Sequence, residues 1–549
     1  MLYEKSYKRG RIRFLTALIF ISFLLLIWRL WFLAYVDGQY LSAMAVDQRR
    51  HALETRNIRG TIYDRNMLPL TDSQTGLSVA ITSEILASHS EFTGELLRIL
   101  NITSEELNAR MRGHGVQLLP LTTIDQAFID AAINAGTRII TADRRYSDEA
   151  VASHLIGYSP QADYSAGFGL ERAFNDILSG DVQRIGIIRD FSHGLPLSNL
   201  GQTVNEYDIG GLRLTIDFHI QQAVENVMDS MVERGAVIVS DVQTGDILAM
   251  ASRGNFSQNN LREHLASDGG ELLNRAVSAF DAGSIFKIVT AAAAFEQGLV
   301  EVDTRFYCGG YLTIDGRQFF CLARDGHGHL TFEESFAHSC NVVFYRLGMQ
   351  LGYDLLNEYS RKFGLGELIL NLENFGEQSG LLPARQYLSN SKFANMSIGQ
   401  GDTLLTPLQV TNMVNIIANN GIERQLNIAH AYVDRFGNVR ENLAVQRSER
   451  VIQQDTALKI RQLMDAVVIY GTGTRAVTDN FTASGKTSSA ETGWFENGEF
   501  KVHAWFAGYT PSDEPRFVIT VFVQNGRRGS TVAAPVFREI ADRLFVIGR

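Results

Sequence analysis

The 549 residues carry 60 acidic against 50 basic side chains, a formal net charge of -10, with 45% hydrophobic and 20% charged residues. That balance excludes a disordered or fibrous chain and leaves ample material for a buried core. Excess negative charge repels phosphate backbones, so nucleic acid is not expected as a partner.

Lys5, Lys8, Arg9, Arg11 and Arg13 precede an apolar run from Phe14 to Val36 that only Arg29 interrupts. A run of this length spans a bilayer. Positive charge ahead of it predicts a cytoplasmic tail at residues 1–13, a transmembrane helix over 14–36, and an extracytoplasmic location for all that follows. Arg29, near the outer end, can snorkel. Ala43-Met44-Ala45 has the small-x-small form of a signal-peptidase site. Cleaved signals, however, have hydrophobic cores of only ~7 to 15 residues, which favours an uncleaved anchor.

Residues 38–210 show short strand-like alternations and polar loops without a chemically suggestive cluster, and they read as a scaffold. Within them, Gly169 to Gly180 is amphipathic, with Leu170, Phe174, Ile177 and Leu178 as an apolar stripe and Glu171, Arg172, Asn175 and Asp176 on the polar side. A new domain is expected from Gly211, covering 211–549. Leu212 to Ile216 alternates like a strand, and Asp217 can cap a helix striped by Ile220, Val224, Val227 and Met228. Strands Ala236 to Ser240 and Asp246 to Ala251 follow around a turn at Val242 to Gly245.

Next comes Asp281-Ala-Gly-Ser284-Ile-Phe-Lys287, leading into an alanine-rich helix. Three-residue spacing puts Lys287 one turn from Ser284 on the same face. A serine needs a base to become nucleophilic, and a buried lysine with a lowered pKa supplies one. The helix start also offers N–H groups to a developing oxyanion. In isolation the same residues describe an N-cap serine and a surface lysine. The alanines at 291 to 294 read as core helix packing.

The three cysteines, 308, 321 and 340, allow at most one internal bridge. Cys308 to Cys321 reads as a hairpin around Asp315-Gly316 that sets Cys321 opposite Gly310 and diagonal to Cys308, so a bend at Gly309-Gly310 can close a disulfide in an oxidising exterior. The other reading is two half-buried thiols. Arg324-Asp-Gly-His327-Gly-His329 has no evident matching ligand set and reads as a turn, so no metal is expected. Thr331-Phe-Glu-Glu334 is a capping box. Ser339-Cys340-Asn341 follows at a helix start, where a bend can point a hydroxyl and an amide into a cleft, with Cys340 packing inward.

Ser484-Gly485-Lys486-Thr487-Ser488-Ser489 is either a solvated loop or a sheet edge whose lysine and hydroxyl hold a substrate carboxylate. His503 to Tyr509 and Arg516 to Gln524 form a strand pair, and a terminal helix begins near Pro535. Strands at both ends of 211–549 enclose a helical middle. This fits one antiparallel sheet flanked by helices, with a helical lobe inserted between its halves.

Ser-x-x-Lys, Ser-x-Asn and Lys-Thr-Gly in this order resemble the motif set of penicillin-binding proteins and their β-lactamase relatives. Arg59 to Arg65, His154 to Gly157, Gly169 to Glu171, Leu214 to Asp217, Ile398 to Gly401, Thr406 to Gln409, Gly471 to Thr474 and Trp505 to Tyr509 are similar to class B signatures within that family, over roughly residues 55 to 525. The resemblance implies an α/β (α+β) fold: a membrane anchor, an elongated pedestal (dimerisation-like) domain and a D,D-transpeptidase domain, without a glycosyltransferase domain or cofactor. It assigns Ser284 as the acylated serine, Lys287 as its base, Ser339 and Asn341 as proton relay and amide holder, and Lys486 with Thr487 as carboxylate binders. The N–H groups of Ser284 and Ser489 become the oxyanion hole. It implies peptidoglycan stem peptides as substrate, β-lactams as mimics, and a polytopic glycan polymerase and other wall-synthesis proteins as partners at the membrane. Water as acceptor would make a carboxypeptidase or β-lactamase instead. The one departure is Ser488, where the family usually has glycine; it raises the alternative of a catalytically weak scaffold or β-lactam-responsive protein.

Overall fold

A computed structural model describes residues 2–37, 50–72, 74–111, 117–121, 123–147, 150–159, 167–188, 210–265, 267, 269–434, 436–496 and 498–547. Ala43-Met44-Ala45 and parts of the expected pedestal lie outside these. The chain forms two bodies, one from residues 1–58, 75–142 and 181–207 and one from 59–74, 143–180 and 208–549.

In the first body, helix Leu2–Trp31 runs on as a wider turn through Phe32–Val36. Within the 27-residue stretch Gly10–Val36, an 18-residue window reaches a mean hydropathy of 2.3, and none of it is buried by the protein. At 1.5 Å per residue this stretch is about 40 Å long, enough to cross a ~30 Å hydrocarbon layer with tilt. Its serine and threonine hydroxyls are satisfied on the helix itself, Thr16 Oγ1 donating to Ile12 O at 2.7 Å and Ser22 Oγ to Leu18 O at 2.9 Å. That suits a segment without water around it. The same body holds a three-stranded sheet ordered Gln117–Leu121, Gln74–Ile81, Arg138–Arg144, with the first two strands antiparallel. Helices Ser90–Leu100 and Gln126–Asn134 cover it through Phe92, Leu96 and Phe128.

The second body is built on a five-stranded antiparallel sheet. Its strands are β1 (Gly235–Asp241) and β2 (Ile247–Arg253) from the start of the domain and β3 (Ser484–Glu496), β4 (Glu499–Thr510) and β5 (Phe517–Val523) from its end, in the order β3-β4-β5-β1-β2. Alternation explains why β1 and β5 read as unbroken apolar runs. Val237, Val239, Ile519 and Val521 face helices Phe218–Met231 and Ala533–Ile547, while Ala236, Ile238, Val518 and Phe522 face the helical lobe. Both faces are therefore buried. Asp217 caps the first of those helices by accepting from the N–H groups of His219 and Ile220.

One local reading is corrected here. Gly169 to Gly180 is two short helices, Leu170–Ala173 and Asn175–Leu178, and Glu171 is fully buried rather than on a polar face. Its carboxylate pairs with Arg59 and with Arg145 Nε at 2.8 Å, and Tyr146 Oη donates to it at 3.0 Å. A buried charge persists when it is paired and hydrogen-bonded in this way.

Candidate active site

Ser284 lies in a 3-10 turn, Gly283–Phe286, that opens helix α1 (Lys287–Glu296). The turn is fastened to the sheet by the carbonyls before it. Trp505 Nε1 donates to Asp281 O at 2.9 Å and Ser488 Oγ to Ala282 O at 2.8 Å. From the other side, Gly283 N donates to Gly399 O at 2.8 Å. Gly283 has φ +55°, and a Cβ there would lie 2.5 Å from Ser488 Oγ, so only glycine fits.

Lys287 and Lys486 are fully buried. Lys287 Nζ donates to Ser339 O at 2.8 Å, Ser339 Oγ at 3.1 Å and Asn341 Oδ1 at 2.7 Å. Lys486 Nζ reaches the same Ser339 Oγ at 3.1 Å and its neighbour Thr487 O at 3.0 Å. One hydroxyl thus bridges two amines that are far apart in the chain. Phe344 and Phe336 lie 5.3 Å and 5.5 Å from the two nitrogens, adding cation–π contact but no counter-charge. Burial disfavours the charged forms. It lowers Lys287 to about 8 despite the opposing Cys340 and Cys321 thiols, and lowers Lys486 well below the usual lysine range, helped by repulsion from Lys287.

Ser339 adopts φ +56°, a left-handed conformation uncommon for a residue with a side chain, just before helix α2 (Asn341–Lys362). The preceding helix, Phe332–Ala337, begins with the Thr331–Glu334 capping box. On β3 the side chains alternate. Lys486 and Ser488 turn toward the serine turn and Ser339, whereas Thr487 Oγ1 bonds Thr472 Oγ1 at 2.6 Å and Ser489 Oγ accepts from Gly529 N at 3.1 Å. Ser488 is buried and its hydroxyl is engaged with Ala282 O. Thr472, part of Gly471-Thr-Gly-Thr474, was not assigned a role from sequence; its contact with Thr487 adds it to the site.

The cysteines depart from expectation. Tyr311–Ile314 and Arg317–Phe320 do form a hairpin around Asp315-Gly316, and Cys321 N donates to Gly310 O at 2.8 Å. The chain breaks away at Gly309-Gly310, however, so Arg305–Cys308 pairs with Gly328–Thr331 instead, setting Cys308 opposite Gly328. All three cysteines are buried free thiols, without a Cys308–Cys321 bridge. The reading of His327 as lacking a ligand set also fails. Cys308, Cys321 and Cys340 surround it, their ligand atoms and its own all within 4.8 Å of one another.

Against known proteins, residues 235–542 match the penicillin binding protein transpeptidase domain, and residues 54–188 match the penicillin-binding protein dimerisation domain. The chain is 27% identical to stage V sporulation protein D of Bacillus subtilis (strain 168), over 97% of this chain and 85% of that protein. It is also 27% identical to peptidoglycan D,D-transpeptidase MrdA of Acinetobacter baumannii, over 97% and 88%. Among solved structures it superposes on a chain from a study of polymerization and crosslinking by a peptidoglycan synthase complex with a TM-score of 0.69, at 25% identity, covering 98% of this chain and 99% of that one.

Proposed function

The chain belongs to the penicillin-binding protein transpeptidases, in the class B group that pairs this domain with a dimerisation domain, and from that membership we propose that it is a peptidoglycan D,D-transpeptidase acting through an acyl-enzyme on Ser284. The observation that carries the reading is the pair of buried lysines meeting at the Ser339 hydroxyl beside the Ser284 turn.

Lys287, neutral in a substantial fraction near pH 8, removes the Ser284 proton as the hydroxyl attacks the penultimate D-Ala carbonyl of a stem peptide. N–H groups of Ser284 and Ser489 receive the oxyanion. Ser339, bonded to both amines, passes the proton to the departing D-Ala nitrogen, and Asn341 holds the substrate amide. Lys486 and Thr487 bind the terminal carboxylate, whose charge would draw a proton back onto Lys486. An amine of a neighbouring strand then takes the acyl group. β-Lactams present the same carbonyl and carboxylate and are expected to acylate Ser284.

Ser488 favours this reading over that of a weak scaffold, because its hydroxyl is consumed by Ala282 O and anchors the serine turn. The proposed organisation is a cytoplasmic tail at 1–13, a span over 14–36, a pedestal over 38–210 and the transpeptidase domain over 211–549 outside the membrane. This arrangement would bring the site to where a membrane-bound glycan polymerase and other wall-synthesis proteins work. Fluorescent penicillin labelling of the full chain tests the chemistry. Label on wild type, absent in Ser284→Ala, and an adduct located at Ser284 by mass spectrometry are expected; an unlabelled wild type, or a mutant that keeps its label, would refute it.

A further inference from the structure

Cys308 ends one short strand, Cys321 follows the hairpin strand Arg317–Phe320, His327 lies just before the strand Gly328–Thr331, and Cys340 precedes α2. Four separate stretches thus deliver three sulfurs and an imidazole nitrogen to one point. Cys321 Sγ is 3.8 Å from Cys340 Sγ and 3.5 Å from His327 Nδ1. Zinc bonds of about 2.3 Å to sulfur and about 2.0 Å to nitrogen at tetrahedral angles give edges of about 3.8 Å between sulfurs and about 3.5 Å from sulfur to nitrogen. Those two separations match the edges, and all four ligand atoms lie within 4.8 Å of one another. A disulfide needs its sulfurs at about 2.05 Å, and a thiol hydrogen bond accounts for one contact without explaining why a third sulfur and the imidazole converge there.

We propose that Cys308, Cys321, His327 and Cys340 bind one zinc ion in a closed, structural Cys3His site. Thiolates favour a soft ion such as zinc, and four protein ligands leave no open position for chemistry. Binding displaces thiol protons to solvent and involves no electron transfer. The surroundings are built for thiolate. The backbone N–H groups of Asn341 and Val342, at the start of the 22-residue helix α2, hydrogen-bond the Cys321 sulfur. His329, two residues past His327, instead sits in a strand opposite Tyr307.

Cys340 also stands between Ser339 and Asn341, the two acceptors of Lys287. A metal–sulfur bond there would clamp the left-handed Ser339 turn and join it to the strands at 305–331. This coupling, unlike the metal itself, rests on the transpeptidase reading.

The test uses full-length protein in detergent, purified without chelator. Metal analysis is expected to find one zinc per chain, reduced at least fivefold in Cys308→Ser and in His327→Ala. Because either variant could misfold, wild type stripped by a chelator and reloaded with cobalt(II) provides a second readout, with thiolate-to-cobalt charge transfer and a tetrahedral ligand-field spectrum expected. Zinc-free wild type that gives no such spectrum, a native Cys321–Cys340 disulfide, or full zinc in both variants would overturn the site. Stripping is further expected to slow penicillin labelling at least tenfold, with recovery on zinc addition. Unchanged labelling would overturn the clamp and leave the metal standing. A zinc-loaded wild type that never labels would instead count against the acyl-transfer reading.

Discussion

Arg59, buried, and Arg145, half-buried, flank the carboxylate of Glu171, whereas Lys287 and Lys486 are buried beside hydroxyl, amide and carbonyl oxygens. Both clusters lie in the same body of the protein. In the first, burial pulls Arg145 down but Glu171 and Asp72 together outweigh it and hold the guanidinium above its ordinary value, while the two arginines overcome burial and hold Glu171 below its own. Charge there is fixed. In the second, burial meets no carboxylate, and the amines drift toward neutrality. The same desolvation therefore makes a rivet in one place and the proposed base in the other, and the difference is the presence of a counter-ion.

Substitution of Lys287 by Met should separate the two roles most sharply. Penicillin acylation should fall by ~10²–10⁴, the usual contribution of a general base. The melting temperature should change little, since the three hydrogen bonds lost are offset by removing a buried amine that has no counter-ion. A clear loss of stability with acylation intact would break the comparison. Glu171→Gln should do the opposite. Leaving Arg59 and Arg145 short of their shared carboxylate should cost ~3–5 kcal/mol in the melt of the full chain, with little change in acylation per folded molecule.

A pH profile sharpens the contrast further. Only the neutral amine of Lys287 accepts a proton, so acylation should rise about tenfold per pH unit below about 8 and level off above it. The titratable groups acting on Lys287 are Lys486 and the Cys340 and Cys321 thiols. A profile flat through pH 8 would show that the amine is not the base. The smallest effect is expected for Ser488→Gly, which removes one neutral hydrogen bond to Ala282 O. About 1 kcal/mol of stability and a severalfold slower acylation should be lost. Faster acylation would mean that the serine obstructs the cleft rather than anchoring it.

Elements governed by local pattern were legible in the chain. The apolar run after five cations, the Asp217 cap, the Thr331–Glu334 box and the apolar strands at both ends of the domain all appear where their residue patterns put them. The hexapeptide at 484–489 was open between loop and strand from its own residues. It is strand because β4 supplies a continuous partner, with Lys486 opposite Ala507 and Ser488 opposite Trp505. Glu171 was misread because a helical wheel cannot see Arg59, more than a hundred positions earlier in the chain. The cysteine cluster was missed for a related reason. Gly310, at φ +90°, turns the chain out of one strand pairing and into another, so ligands that look scattered along the sequence converge.

The sheet that opens with β1 and closes only with β3 to β5 also sets a timetable. Lys287 is driven toward its neutral form only when later segments, Ser339 to Asn341 and then Lys486, have packed over it. A chain whose last strands have yet to fold would carry an ordinary lysine ammonium beside an ordinary serine alcohol. The proposed reactivity would switch on with the final strands, so a truncated molecule is expected to be chemically silent.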